Sequence, residues 1–200
     1  MNDLYKTIES ASEGLYKEKG SKFIAMTFPV KSLDEINGQI AVIRKQYHDA
    51  SHHCYAWRLG ADGDRYRAND DGEPSGSAGK PIYGQILSRD LSDVLIVVIR
   101  YFGGTLLGVG GLINAYRSAA SNALEKSRII EKKVYGKLLV EFEYAQMNSV
   151  MGTVKNFQLI IDSQHFDLSC SLKVKVWKRM EKEVIDRFTK IDGCKISEDQ

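Results

Sequence analysis

Two hundred residues, of which 43% are hydrophobic, 27% charged and only three proline, describe a globular chain with enough apolar surface for a sizeable core, and exclude disorder and fibrous repeats. A formal net charge of +2, from 28 basic against 26 acidic side chains, is too small for a protein that packages double-stranded DNA through many phosphate contacts, so any nucleic-acid contact is local. The three cysteines, Cys54, Cys170 and Cys194, are widely spaced without the CxxC pairs of a zinc ribbon, and read as reduced thiols of a cytoplasmic protein.

The amino terminus MNDLYKTIES has no basic segment leading into an apolar one, so no secretory signal is expected. After two or three short strands, SLDEINGQIAVIRKQY sets Leu33, Ile36, Ile40, Ile43 and Tyr47 at helical spacing, with Ser32 and Glu35 as a capping box. HHCYAWRLG is predicted as a strand with His53, Tyr55, Trp57 and Leu59 on one face and His52, Cys54, Ala56 and Arg58 on the other. ADGDRYRANDDGEPSGSAGK is expected to be a polar loop, and Pro81 suits the first turn of a short helix carrying Ile82, Ile86 and Leu87. DVLIVVIRYF is apolar without alternation, as a central strand covered on both faces would be. Its most apolar stretch, Val94 to Ile99, is far short of the ~20 residues of a membrane-spanning helix, and the chain is expected to stay out of membranes. It ends in glycine and gives way to a helix predicted from about Val109 to Arg128, on Leu112, Ile113, Tyr116, Ala119, Ala120, Ala123 and Leu124.

From about Val134 the rhythm changes. Leu138, Val140, Phe142 and Tyr144 alternate as a strand, and Met147, Val150, Met151, Val154 and Phe157 mark a helix. Strands QLIIDSQHF and DLSCSLKVKVW, a helix on Met180, Val184, Ile185 and Phe188, and a last strand in CKIS complete a βαββαβ order, the ferredoxin-like plan. The chain is accordingly expected to be α+β with two domains, 1–130 and 131–200, the second the more basic.

RYFGGTLLGVGGL is the most informative stretch, because Gly103, Gly104, Gly108, Gly110 and Gly111 lie between a buried strand and a helix. Glycine there permits close backbone approach, helix-terminal N–H groups can hold an anion, and Arg100 would add a planar donor fork. The same glycines also serve tight packing of helix on sheet, and the residues alone leave both readings open. Neither a Rossmann fingerprint nor a Walker A loop fits, since Ile113 stands where the former needs glycine and Pro81 follows Gly79 and Lys80. In DDGEPSGSAGKP, Ser75, Ser77 and Lys80 suit phosphate contact, whereas Asp70, Asp71 and Glu73 either ligate magnesium or cap turns. His52 and His53 point to opposite faces of a regular strand and cannot share a metal. His52 and Cys54 share a face but have no assignable third group, so a hydrogen-bonded histidine is expected. His48 and His165 are expected at the surface. Lys173 and Lys175 with Trp177 form either a basic stripe with a stacking residue or an ordinary solvated face.

Read together, HHCYAW, DDGEPSGSAGKP and RYFGGTLLGVGGLINAY closely resemble the signature blocks of the IMPACT/YigZ family, in that order and spacing. The match runs over most of residues 15 to 130. The resemblance implies an amino-terminal domain with the left-handed βαβ fold of elongation factor G domain IV and the ribonuclease P protein. It also implies a carboxy-terminal domain like elongation factor G domain V. Both relatives work on RNA or the ribosome, and the implied partners are RNA, the ribosome or a translation factor; from charge and motifs, no double-stranded DNA, metal or cofactor is expected. The expected contact surface is Arg100, the glycine turn, Ser75, Ser77 and Lys80, with Arg117 further along the helix. Because the same left-handed fold also serves kinases of small metabolites, the alternative is a phosphate-ester or nucleotide enzyme using this groove, with magnesium on Asp70, Asp71 or Glu73.

Overall fold

A computed structural model describes residues 3–167 and 169–199. The chain forms two compact units, Tyr5–Lys132 and Met1–Leu4 with Lys133–Gln200. Asp3 and Leu4 thus belong with the later part of the chain, an arrangement that sequence rhythm does not signal.

In the first unit, β1 (Leu4–Ile8) pairs with β7 (Ile129–Lys133) as a separate two-stranded ribbon. The main sheet holds β2 (Ser12–Glu18), β3 (Ser21–Pro29), β4 (His52–Leu59), β5 (Arg65–Asn69) and β6 (Val94–Tyr101) in the order β2-β3-β6-β4-β5. Every neighbouring pair is antiparallel. The central place of β6 explains its continuous apolar run, since Val94 through Ile99 are all fully buried. Helix α1 (Leu33–Gln46) covers one face, where Ile36 and Ile43 meet Ile24, Trp57, Leu59, Leu95, Val97 and Ile99. Helices α2 (Gly79–Ser88) and α3 (Gly108–Glu125) cover the other, packing on Phe23, Cys54, Ala56, Ile96 and Val98. The face alternation expected along β4 is observed.

Three features of this unit differ from the sequence expectation. Part of the expected polar loop is the edge strand β5, whose Arg-Tyr-Arg sequence carries no apolar alternation because four of its five residues are exposed. Helix α3 stops at Glu125 rather than Arg128, where the N–H groups of Lys126 and Ser127 turn back to the Ala123 and Leu124 carbonyls and Ser127 Oγ competes for the Ala123 carbonyl. At the start of α1, Ser32 accepts from Glu35 N as expected, but the Glu35 carboxylate takes Lys31 N instead of closing the box on Ser32.

In the second unit, β8 (Tyr135–Glu143), β9 (Ile160–His165), β10 (Ser169–Trp177) and β11 (Lys195–Glu198) form a sheet in the order β11-β8-β10-β9. All three pairings are antiparallel. Helices α4 (Met147–Asn156) and α5 (Glu181–Thr189) supply Val150, Val154, Val184 and Phe188 to the core with Leu138, Val140, Leu172, Val174 and Val176. Asp3 joins this unit through its carbonyl, which accepts from Val134 N and Trp177 Nε1. Among the described residues no helix is long and apolar enough to cross a membrane.

Candidate functional site

Strand register assembles the site. In the antiparallel pairings Phe23 lies opposite Arg100 and Arg100 opposite His52, so the three side chains stand in a row on the face covered by α2 and α3. Helix α3 lowers Tyr116 onto this row, its ring edge-on to Phe23 at 5.1 Å. The loop before α2 brings Glu73 between them. Glu73 Oε1 accepts from Arg100 Nη1 at 2.6 Å and from the Tyr116 hydroxyl at 2.8 Å, and all three groups are buried. His52 donates from Nδ1 to the Asp71 carbonyl at 2.8 Å, which turns Nε2 toward Glu73 at 3.9 Å. Cys54 Sγ lies 3.3 Å from the Tyr116 hydroxyl. Burial pushes the Cys54 thiol and the Tyr116 phenol up and keeps both protonated.

The loop that presents Glu73 is wound around Asp70. Its Oδ1 accepts from Ala78 N and Gly79 N and its Oδ2 from Gly76 N, so a carboxylate eight residues upstream caps α2 in place of a local side chain. Desolvation pulls the Asp70 carboxyl up, but these three N–H bonds and Lys80 outweigh it and hold it below the usual range. Asp71 is likewise held low, desolvation being outweighed by His53 N and Arg44. The carboxylates named for magnesium each have partners within the chain: Asp70 and Asp71 serve backbone N–H groups and Arg44, and Glu73 serves Arg100 and Tyr116. Among the described residues no group of three His, Cys, Asp or Glu side chains is placed to hold a metal.

Above the buried network opens a cleft of about 530 Å³. Its floor includes His52, Glu73, Arg100 and Leu112, and its walls are Phe102, Leu106, Leu107 and Val109 with Gly108 at the start of α3. The glycines divide by role. Gly103 packs so closely on Gly20 and Ser21 that a Cβ would lie 1.9 Å from the Gly20 carbonyl carbon, whereas a Cβ on Gly110 would meet nothing within 4 Å. Gly104 and Gly108 take positive φ, 82° and 70°. Gly111 rests against Leu107. No side chain caps the first turn of α3, so the N–H groups there have no capping oxygen from the chain's own side chains.

Of the remaining sequence-predicted residues, Ser75, Lys80 and Arg117 are exposed but outside the cleft lining. Ser77 is fully buried and donates to the Pro74 carbonyl at 2.6 Å, serving the loop itself. In the second unit Lys173 pairs with Asp199 and Lys175 with Asp162, while the Trp177 ring carries Lys133 Nζ at 4.4 Å. Phe102 and Leu106, 49% and 83% exposed, escape sequence reasoning because apolar residues beside a glycine turn read as core. Tyr116 reads as an ordinary helix-core residue for the same reason. The acid missing from the His52 and Cys54 face is Glu73, delivered from a loop that strand periodicity does not describe.

Fold and site define a mixed α/β protein of two units whose first unit presents a glycine-started helix over a buried Glu–Arg–Tyr network. The Impact N-terminal domain model matches residues 19–124. The IMPACT family member YvyE of Bacillus subtilis is 30% identical over 191 residues, 96% of this chain and 88% of that protein. YigZ of Escherichia coli, also an IMPACT family member, is 35% identical over 134 residues, 66% of each chain. A crystal structure described as that of a hypothetical protein superposes with a TM-score of 0.81 at 25% identity, over 100% of this chain and 99% of the other. This chain belongs to the IMPACT family.

Proposed function

We propose that this chain acts in translation, in the cytoplasm, by binding RNA or a ribosomal surface. The observation that carries this reading is the start of α3, where uncapped N–H groups and side-chain-free glycine stand beside exposed Phe102 and Leu106. Backbone N–H groups suit phosphate oxygens, and an exposed aromatic suits an unstacked base. Ser75, Lys80 and Arg117 supply further exposed groups for the phosphates; the hydroxyl of Ser77 is not among them. In this reading residues 1–130 form an IMPACT-type domain with the left-handed βαβ fold of elongation factor G domain IV. Residues 131–200 form a ferredoxin-like domain resembling domain V, which the β11-β8-β10-β9 order supports. Catalysis is not part of the proposal, since Cys54 and Tyr116 are fully buried and the Glu73 oxygen nearest them is taken by Arg100 and the Tyr116 hydroxyl.

The test is RNA affinity against salt. Each phosphate contact on a single strand contributes ~0.7 to the logarithmic salt slope, so Lys80→Gln and Arg117→Gln are expected to weaken binding and lower the slope by about that amount each, with the fold intact. Gly110→Ala adds a separate reading. The new methyl has room and favours the helix by up to ~1 kcal/mol, so stability rises while close approach of a strand is hindered and affinity falls. Normal folding with unchanged affinity and slope in both charge variants refutes this surface as the RNA site.

A further inference from the structure

The cleft over the Glu73–Arg100 pair has a composition that phosphate contact does not use. At about 530 Å³ it falls within the roughly 300–1,000 Å³ of small-molecule pockets, which are mostly apolar with a few placed polar groups. Phe102, Leu106 and Val109, each about half exposed or more, are concentrated at its walls, where scattered single residues would be the ordinary case. On the floor, Arg100 is only 5% exposed, spends Nη1 on Glu73, and leaves Nε buried without a hydrogen-bond partner. A buried donor left unpaired is costly, and the Arg100 side chain that carries it lines the cleft.

The polar floor also carries the Glu73 carboxylate and the His52 imidazole. A bare phosphate or carboxylate would face Glu73, and a hydrocarbon would leave the Arg100 donor unmet. A flat heterocycle with acceptor and donor atoms along one edge satisfies both, and its faces suit Phe102 and the leucines. We infer that this cleft is a pocket for one nucleobase, inserted with its faces against Phe102 and Leu106 and its polar edge on Arg100, Glu73 and His52. As a base of single-stranded RNA the occupant rests on the function proposed above; as part of a free nucleoside or nucleotide it does not, and the chemistry of recognition is the same.

The experiment titrates the full-length, isotope-labelled chain with each of the four ribonucleosides, which carry no phosphate, and follows the NMR signals of His52, Leu107 and Leu112. Saturable shifts of these signals with at least one nucleoside are expected, abolished in Phe102→Ala and Leu106→Ser, whose exposed positions leave the fold intact. If none of the four moves these signals up to its solubility limit, the base pocket is refuted whatever the chain does with RNA. With a short single-stranded RNA, Phe102→Ala is expected to bind about tenfold more weakly at an unchanged salt slope, because stacking neutralises no phosphate. RNA binding indifferent to Phe102 and Leu106 overturns a strand-borne base as the occupant while leaving the RNA reading standing, and with no nucleoside shifts it overturns the pocket altogether. Nucleoside binding without any strand binding supports the pocket with a free nucleoside or nucleotide as occupant, and it is the RNA reading that then falls.

Discussion

Truncating Glu73 to Ala strips the Arg100 guanidinium and the Tyr116 hydroxyl of one shared oxygen. The Glu73 and Arg100 side chains are 4% and 6% exposed, and removing one partner of a pair so deeply buried costs about 3–5 kcal/mol, mostly the expense of leaving the other charge unpaired. The loss at Tyr116 falls within that figure because it concerns the same oxygen. Glu73→Gln, which keeps an acceptor without the charge, is expected to cost about 1–3 kcal/mol. Joint replacement by Glu73→Leu and Arg100→Met removes the stranded charge and is expected to recover most of the loss. The chain has two tryptophans, Trp57 in the first unit and Trp177 in the second, so urea titration in a Trp177→Phe background follows the first unit by Trp57 fluorescence alone. A thermal midpoint lower by roughly 10–20 °C corresponds to the Glu73→Ala loss. A Glu73→Ala cost under about 1 kcal/mol, or a double variant no more stable than the single one, refutes the buried-pair argument.

Acid is expected to destabilise the first unit through Asp70 and Asp71, whose folded carboxyls sit below the ordinary 3.8. Their stabilisation is fully present above the unfolded value and is lost as pH falls through the folded one, so stability drops from about pH 4 downward; Asp70→Asn should flatten that slope in acid denaturation curves. A fragment of residues 131–200 is expected to fold alone around the core shared by α4 and α5. Lacking the Asp3 carbonyl that receives Val134 N and Trp177 Nε1, it should melt cooperatively but below the full chain, and a fragment unfolded by circular dichroism refutes its independence.

Much of this architecture is legible because burial is periodic. The faces of β4, the unbroken run of β6 and the Ile36, Ile40 and Ile43 spacing of α1 follow from where water is excluded, whereas Leu33 of the same periodic set is exposed. Strand β5 is invisible to the same logic, since an exposed edge of Arg65, Tyr66 and Arg67 needs no apolar alternation. The site is half legible. Glycine density singles out the start of α3, and Arg100 stands out at the end of a strand, but the partner of Arg100 sits twenty-seven positions earlier in a loop. Sequence spacing offers Glu73 as a possible metal ligand, and only the register of β3, β4 and β6 shows that a buried arginine waits for it. Phe102 and Leu106 are legible as apolar and illegible as exposed, because hydropathy does not say which side of a turn faces water.

The placement of Asp3 has a consequence for how this chain is made and handled. During synthesis the amino end emerges first, yet the hydrogen-bond partners of Asp3 are Val134 and Trp177, which are made more than a hundred residues later. Residues 5–132 can fold while still tethered to the translating machinery, but the second unit must wait for Val134 and Trp177 before the bonds to Asp3 close. A truncation that removes Asp3 would therefore be felt in the carboxy-terminal unit, at Val134 and Trp177.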